Sequence, residues 1–172
     1  MEKNWILMLY LVFFVLGLIL IIIQTTMIPL LLVLGRFYDL LIPFVLFISA
    51  YGQFRNSTFV IVGVGLIMDC ISGGAFGLYS ITYLWLHMVV NWMTVFLEAK
   101  SVVFLLLMVV CGTVIENLFF IITVSGFKSL FLSDLLHSFI TQALWGVFTS
   151  PFLIMALFRI HKMLDALDAE RS

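Results

Sequence analysis

Long uncharged stretches, separated by isolated charges, dominate the pattern of the chain. Four of them are long: 32 residues between Lys3 and Arg36, 28 between Asp69 and Glu98, 27 between Lys100 and Lys128, and 24 between Asp134 and Arg159. The third of these is interrupted only by Glu116. A hydrocarbon core about 30 Å thick needs roughly 20 helical residues. The pattern therefore predicts four membrane-spanning helices in these stretches.

The stretch from Asp39 to Asp69 is less regular, because Arg55 divides it into apolar runs of 15 and 13 residues. It is either one irregular span or a helical hairpin that turns between Gly52 and Ser57. The polar run Gly-Gln-Phe-Arg-Asn-Ser has turn character and favours the hairpin. The sequence then predicts an all-α polytopic membrane bundle of six transmembrane helices, in a single integral membrane domain that covers residues 1–172.

Composition supports a chain with little mass outside the bilayer. Hydrophobic residues make up 65% and charged residues 10%, with a net charge of -1, whereas a soluble domain carries about a quarter charged residues. A soluble protein is excluded, and the charge balance lacks the basic patch that nucleic-acid binding requires. We expect membrane lipid, and no nucleic acid, among its contacts.

Basic residues orient the six predicted helices by the positive-inside rule. With both termini cytoplasmic, six of the eight basic residues lie inside, namely Lys3, Arg55, Lys100, Arg159, Lys162 and Arg171. Arg36 and Lys128 lie outside. The first apolar run is too long for a secretory signal, and the tail from His161 to Ser172 is expected to continue the last helix into the cytoplasm.

A few polar residues fall inside the predicted spans, where ionisable groups are costly and usually face a partner or a cavity. His87 and Asn91 share one face of the fourth helix, and Glu116 lies in the outer half of the fifth. His137, Thr141 and Gln142 lie at a similar depth on the sixth. We hypothesise that Gln142, His137 or His87 holds Glu116; the alternative is that these groups only join helices.

Catalytic signatures are missing from the sequence. The three histidines lie in separate places, no H-E-x-x-H or G-x-S-x-G motif occurs, and a metal site needs three or four converging ligands. Cys70 and Cys111 have no C-x-x-C spacing and are predicted to be buried thiols. We therefore expect no enzyme activity, no metal and no cofactor.

Glycine and polar residues are concentrated between the third and fourth predicted helices. Gly63 and Gly65 would admit close approach by a neighbouring helix, and Asp69 is expected near the outer interface. The run Ser72-Gly73-Gly74 should end one helix and Gly77 should open the next. One interpretation is a tight turn in which Asp69 or Ser72 caps backbone N–H groups; the other adds a surface on which a partner packs or pairs with Asp69.

The run from Gln24 to Tyr83 resembles the bacterial rod shape-determining MreD family. The matching pieces are Gln24-Thr25-Thr26 followed by Pro29, Arg36 with Asp39-Leu40-Leu41, and the D-x-x-S-G-G-x-x-G string that runs from Asp69 through Ser72, Gly73 and Gly74 to Gly77 and is followed by Tyr79. The chain departs from the family at Tyr38, where the family often has proline before the aspartate. The motifs cover about half of the chain.

The resemblance implies a non-enzymatic component of the cell-elongation complex in the bacterial cytoplasmic membrane. Its implied partner is MreC, with MreB, RodZ, RodA and a class B penicillin-binding protein in the same complex. It also implies an architecture similar to the substrate-binding subunits of energy-coupling-factor transporters. Partner contacts are expected at the Asp69 turn. Arg36 and Asp39 form either a second polar contact with the partner or a simple interfacial anchor.

A substrate-binding subunit of a vitamin-type uptake transporter is the alternative function. Such a subunit should carry small residues at a spacing of four on its first helix, but that helix contains no alanine and only Gly17. A binding pocket also needs several converging polar groups. The polar residues around Glu116 and His137 are the only candidates for such a pocket.

Overall fold

The computed structural model describes residues 2–27, 39–73, 76–96, 102–120 and 132–169. Within these ranges the chain is all-helical, as predicted, with six helices. They are α1 (Glu2–Ile22, continued by a π-helical turn, Ile23–Met27), α2 (Leu41–Tyr51), α3 (Phe54–Ser72), α4 (Leu78–Phe96), α5 (Val102–Phe120) and α6 (Leu132–Ala169).

Three of the helices contain segments that are long and apolar enough to cross a membrane. These segments are Met8–Thr26 in α1, Phe54–Ser72 in α3 and Leu144–Leu164 in α6. The described part of α5 and the whole of α2 are apolar but shorter, and α4 has 19 residues that include several polar side chains. This is the character of a membrane protein, with three helices that meet the length and composition of a span.

The polar run at residues 52–57 separates two helices, at the point where the sequence predicted a turn. Gly52 donates its N–H to the Ile48 carbonyl at 2.9 Å, and the Ser57 hydroxyl donates to the same carbonyl at 3.2 Å. The link itself is only residues 52–53, so Arg55 lies in the first turn of α3, where it is exposed. The chain forms two helices here, and one continuous irregular span is wrong.

Helix α2 occupies the centre of the bundle. Nine of its eleven residues, Leu41 to Ser49, are buried, and it packs against α1, α4, α5 and α6. At 1.5 Å per residue the helix is about 16 Å long, roughly half of a hydrocarbon core. Because both its burial and its contacts involve every side of the helix, the other helices surround α2.

Helices α3 and α4 form an antiparallel pair with very close backbones. A Cβ atom on Gly65 would lie 2.8 Å from the Cα atom of Ser80, so only glycine fits at this crossing. Gly63 instead faces the ring of Phe14 on α1, 2.8 Å from the position of its missing Cβ. Close backbone approach, predicted for both glycines, is confirmed at Gly65, where the neighbour is the α4 backbone. At Gly63 the prediction is wrong, because the neighbour is an α1 side chain.

Helix α6 is the longest element, with 38 residues and Pro151 inside it. It continues past Arg159 to Ala169, as the sequence predicted for the tail. His161, expected in that tail, lies among aromatic rings of α1 and α2, with ring centroids 6.1 Å from Phe13, 6.3 Å from Phe47 and 6.5 Å from Tyr51. This part of α6 is therefore packed on the bundle, with the imidazole tilted or edge-on to the three rings.

Candidate functional site

The Asp69 carboxylate, near the end of α3, holds the first turn of α4. One oxygen, Oδ1, accepts the backbone N–H of Tyr79 at 2.9 Å. The other, Oδ2, accepts the backbone N–H of Ser80 at 3.2 Å and its hydroxyl at 2.5 Å. The first N–H groups of a helix have no partner within the helix and carry a partial positive charge. Asp69 therefore caps α4 from the neighbouring helix, as one of the two interpretations predicted.

Two glycines give the α3–α4 connection its shape. Gly73 follows the last residue of α3 with φ of 64°, and Gly77 precedes α4 with φ of 95°. Both values lie in the left-handed region that glycine adopts without steric cost. The sequence placed the end of one helix and the start of the next correctly at these residues.

The side chains of Ser72 and Asp69 both form hydrogen bonds within the protein. The Ser72 hydroxyl donates to the Asp69 carbonyl at 3.4 Å. Of the two predicted capping residues, Asp69 accepts the N–H groups of α4. The Asp69 side chain is only 3% exposed and accepts three hydrogen bonds from α4. The expectation that a partner pairs with Asp69 is wrong for this geometry, because its carboxylate is enclosed and already bonded.

His87, in the middle of α4, joins α4 to both helices of the α2–α3 hairpin. Its Nδ1 atom lies 2.8 Å from the Ser49 hydroxyl of α2, and its Nε2 atom lies 3.1 Å from the Thr58 hydroxyl of α3. The ring of Phe54 stacks on the imidazole with centroids 4.9 Å apart. Asn91, predicted to share its face, lies 3.1 Å from Nδ1 through its Nδ2 atom.

A neutral tautomer with its proton on Nε2 accounts for most contacts of His87. The Thr58 hydroxyl donates its proton to the Phe54 carbonyl at 2.7 Å, so its oxygen accepts from Nε2–H. Nδ1 then accepts from the Asn91 amide, because the Ser49 hydroxyl donates its proton to the Val45 carbonyl at 2.7 Å. An imidazole with both nitrogens bonded is a structural connection between helices, with no group left to act on a substrate.

Asp39 lies just before α2, almost completely buried at 2% exposure. The Tyr83 hydroxyl of α4 donates to its Oδ2 atom, and the Leu41 N–H donates to its Oδ1 atom at 2.9 Å. Gln24, from the π-helical turn after α1, accepts the Leu40 N–H through Oε1 at 3.2 Å. Asp39 thus fixes the start of α2 to α4.

Glu116 lies on the buried side of α5, and it is 8% exposed. Its Oε2 atom is fully buried and has no hydrogen-bond partner within the described ranges. Of the predicted partners, His87 has both nitrogens bonded to other groups and the Gln142 Oε1 atom accepts from Asn117 at 2.5 Å, while the His137 side chain lies outside the described residues. The hypothesis that His87 holds Glu116 is wrong, because both nitrogens of the His87 ring contact hydroxyl groups of α2 and α3.

Several predicted site residues lie outside the described residues. Arg36 and Gly74 are among them. His137 and Thr141 belong to α6, but their side chains lie outside the description. Of the remaining candidates, Tyr79 packs its ring on Tyr83 with centroids 6.0 Å apart. Both cysteines are free; Cys70 is exposed and Cys111 is half-buried, so the prediction of buried thiols is wrong.

The sequence contained a signal for these contacts that the prediction passed over. Tyr79, Tyr83, His87 and Asn91 recur at every fourth position of α4, which places them along one side of a helix. Their partners Asp69, Asp39 and Ser49 come from other helices. A polar stripe on an otherwise apolar helix indicates contacts inside the bundle.

A cluster of several metal-ligating side chains is not found in this part of the chain. The described residues contain no group of three or more histidine, cysteine, aspartate or glutamate side chains that could hold a metal ion. Comparison with known proteins adds no assignment: no family model, no curated protein and no solved structure matches the chain.

Proposed function

We propose that the protein is a non-enzymatic scaffold of the bacterial cell-elongation complex, similar to MreD, that binds MreC and helps to organise peptidoglycan synthesis and cell shape. The observation that carries the proposal is the segment from Asp69 to Tyr79. The residues that resemble the family are those that hold α3 and α4 together, through three hydrogen bonds to one carboxylate. MreB, RodZ, RodA and a class B penicillin-binding protein are the further members of the proposed complex.

The proposed arrangement has all six helices within the cytoplasmic membrane and both termini in the cytoplasm, with an architecture like that of energy-coupling-factor substrate-binding subunits. Helix α2 is short, but it is enclosed by its neighbours and forms a hairpin with α3. The charge bias supports the orientation, since Arg55, Arg159 and Lys162 are exposed near the ends of helices expected to face the cytoplasm.

A scaffold role agrees with how the polar side chains are used. Asp39, Asp69 and His87 each connect two or more helices through hydrogen bonds. Such contacts fix the relative positions of helices, at about 0.6 to 2 kcal/mol each in a membrane. A rigid bundle with an apolar exterior offers a partner's transmembrane helix a surface of constant shape.

The proposed docking region flanks the Asp69 turn. Ile71, which precedes Gly73, and Phe76, which lies between Gly73 and Gly77, are 52% and 73% exposed. Because Asp69 itself is enclosed, we propose that MreC contacts the apolar side chains of the turn, while the carboxylate keeps the turn rigid. On the proposed topology this turn faces the periplasm, where most of MreC lies.

Site-specific photocrosslinking in native membranes tests this proposal. The photoreactive phenylalanine analogue p-benzoylphenylalanine replaces Phe76, and the matched control places it at Phe152 of α6, which is 69% exposed. We expect a crosslink to MreC from position 76 and a much weaker one from position 152. Equal crosslinking from both positions would place the contact elsewhere, and no MreC adduct from either would overturn the proposed partner.

The uptake subunit has one observation in its favour, the unpaired Oε2 atom of Glu116. A solute pocket needs several polar groups that converge on the ligand, and the described residues offer this single unpaired carboxyl oxygen near Asp39 and Tyr83. Native mass spectrometry of the purified protein separates the two functions, because a retained small organic molecule would favour uptake.

A further inference from the structure

Glu116 lies at the outer end of a buried stripe on α5. Leu105, Val109, Gly112 and Glu116 follow one another at spacings of four and three and are all buried, so they share one side of the helix. The first three are apolar or small. A carboxylic acid at the fourth position places an ionisable group inside the bundle instead of against lipid.

The packing of Gly112 shows what surrounds Glu116. A Cβ atom on Gly112 would lie 2.8 Å from Ile42 on α2 and 3.4 Å from Leu86 on α4. Helix α5 runs antiparallel to both of these helices. One helical turn beyond Gly112 on α5 is Glu116. At the same level, one turn before Ile42 is Asp39 and one turn before Leu86 is Tyr83. Glu116, Asp39 and Tyr83, hereafter the carboxyl cluster, therefore lie at one level of the bundle.

Electrostatic interactions among Asp39, Glu116 and Tyr83 agree with their position at one level of the bundle. Asp39 lies within electrostatic range of Glu116, and both carboxyl groups lie within electrostatic range of Tyr83. The neighbouring Tyr79 feels the same two charges. Gln24 approaches Asp39 from the end of α1 but carries no charge, and no described lysine, arginine or histidine contacts the cluster. Two ionised carboxylates that are buried side by side repel each other unless a positive charge lies between them.

We propose that the carboxyl cluster binds one small monovalent cation, a proton or a sodium ion, between Asp39 and Glu116. The unpaired Oε2 atom of Glu116 supplies the free acceptor, and the remaining oxygens of the cluster lie on Asp39 and Tyr83. A buried acceptor without a partner is costly and is commonly explained by an ion or a water. Proton and sodium ion share the same chemistry here, since each neutralises one of the two carboxylates.

Close packing favours a small occupant. Immediately below the cluster, Ile42 and Leu86 leave room for no more than the hydrogen of Gly112. Divalent ions require more oxygen ligands and usually retain water, whereas the cluster offers two carboxyl groups and a phenol. The proposal does not depend on MreC or on the scaffold function, because it concerns only the interior of the bundle.

Infrared spectroscopy of the protein in lipid nanodiscs at pH 7 distinguishes the two ions. In choline chloride we expect the C=O band of a protonated carboxylic acid, and Glu116→Gln should remove it. If the band persists when sodium chloride replaces choline chloride, the occupant is a proton. Two results would identify sodium as the occupant. In the first, sodium chloride abolishes the band and protons are released into the medium. In the second, no band is present in choline chloride, but sodium raises the Tm of the wild-type protein and not that of Glu116→Gln.

Asp69→Asn is the matched control, because the Asp69 carboxylate accepts three hydrogen bonds and needs no cation. This variant should keep both the band and the response to sodium. If Glu116→Gln fails to fold, glutamate labelled with ¹³C in the wild-type protein assigns the band, since the other glutamates, Glu2, Glu98 and Glu170, lie near the ends of predicted spans. Absence of the band together with a Tm indifferent to sodium would overturn the proposal.

Discussion

Replacing Ser80 with alanine isolates one hydrogen bond of the Asp69 cap. The substitution removes the hydroxyl that donates to Asp69 Oδ2 at 2.5 Å and leaves the N–H donors of Tyr79 and Ser80 in place. It also keeps the Cβ and backbone atoms that pack against Gly65. The change in stability therefore reports the hydroxyl contact and little else.

The magnitude follows from the charge on the acceptor. A hydrogen bond to an ionised group contributes about 1.5 to 3 kcal/mol, and two other donors continue to satisfy Asp69. We expect Ser80→Ala to lower the free energy of unfolding by about 1.5 to 2 kcal/mol. Thr82→Val is the matched control, because the Thr82 hydroxyl donates only to the Leu78 carbonyl of its own helix at 2.8 Å. Its loss should cost about 0.6 kcal/mol.

Reversible unfolding in mixed detergent and SDS micelles, followed by tryptophan fluorescence and far-UV circular dichroism, measures both variants. A double-mutant cycle with Asp69→Asn should give a coupling energy of at least about 1 kcal/mol with Ser80→Ala. Equal stability losses for Ser80→Ala and Thr82→Val, or a coupling near zero, would refute the cap as a source of stability.

Three further substitutions test the packing of α3 and the polar contacts of α4 by the same unfolding measurement. Gly65→Ala should lower the free energy of unfolding by about 1 to 3 kcal/mol through overpacking, because the added methyl group meets the Ser80 backbone. Gly63→Ala should lower it less, because the added methyl group meets the movable ring of Phe14. The reverse order would contradict the observed crossing. His87→Leu should cost roughly 1 to 3 kcal/mol by removing the bonds from α4 to α2 and α3, and wild-type stability in this variant would mean that those bonds contribute nothing.

Much of the local structure could be predicted from the sequence. The polar run after Tyr51 interrupts an apolar stretch, and Gly73 and Gly77 bracket a short connection. Each signal acts over a few residues, through turn chemistry or left-handed backbone. The cap by Asp69 was also predictable, since a carboxylate close in sequence to a helix start can reach its N–H groups.

Contacts distant in sequence were harder to predict. Asp39 meets Tyr83 and Ser49 meets His87 across 44 and 38 residues. The register between two apolar helices in a membrane leaves little trace in the sequence, because lipid-facing and helix-facing side chains are both apolar. Helix α2 illustrates the difficulty, as its uniform hydrophobicity is equally typical of a lipid-exposed segment.

The short, enclosed α2 also has a consequence for biosynthesis. Eleven apolar residues are fewer than an independently inserted transmembrane segment requires, and exposed helix ends in hydrocarbon would leave polar backbone groups without partners. On the proposed six-span topology, helix α2 therefore enters the membrane together with α3. Its surroundings are completed by α5 and α6, which are synthesised after it. Later helices thus close around an earlier one, and a chain truncated before α6 would leave part of α2 uncovered.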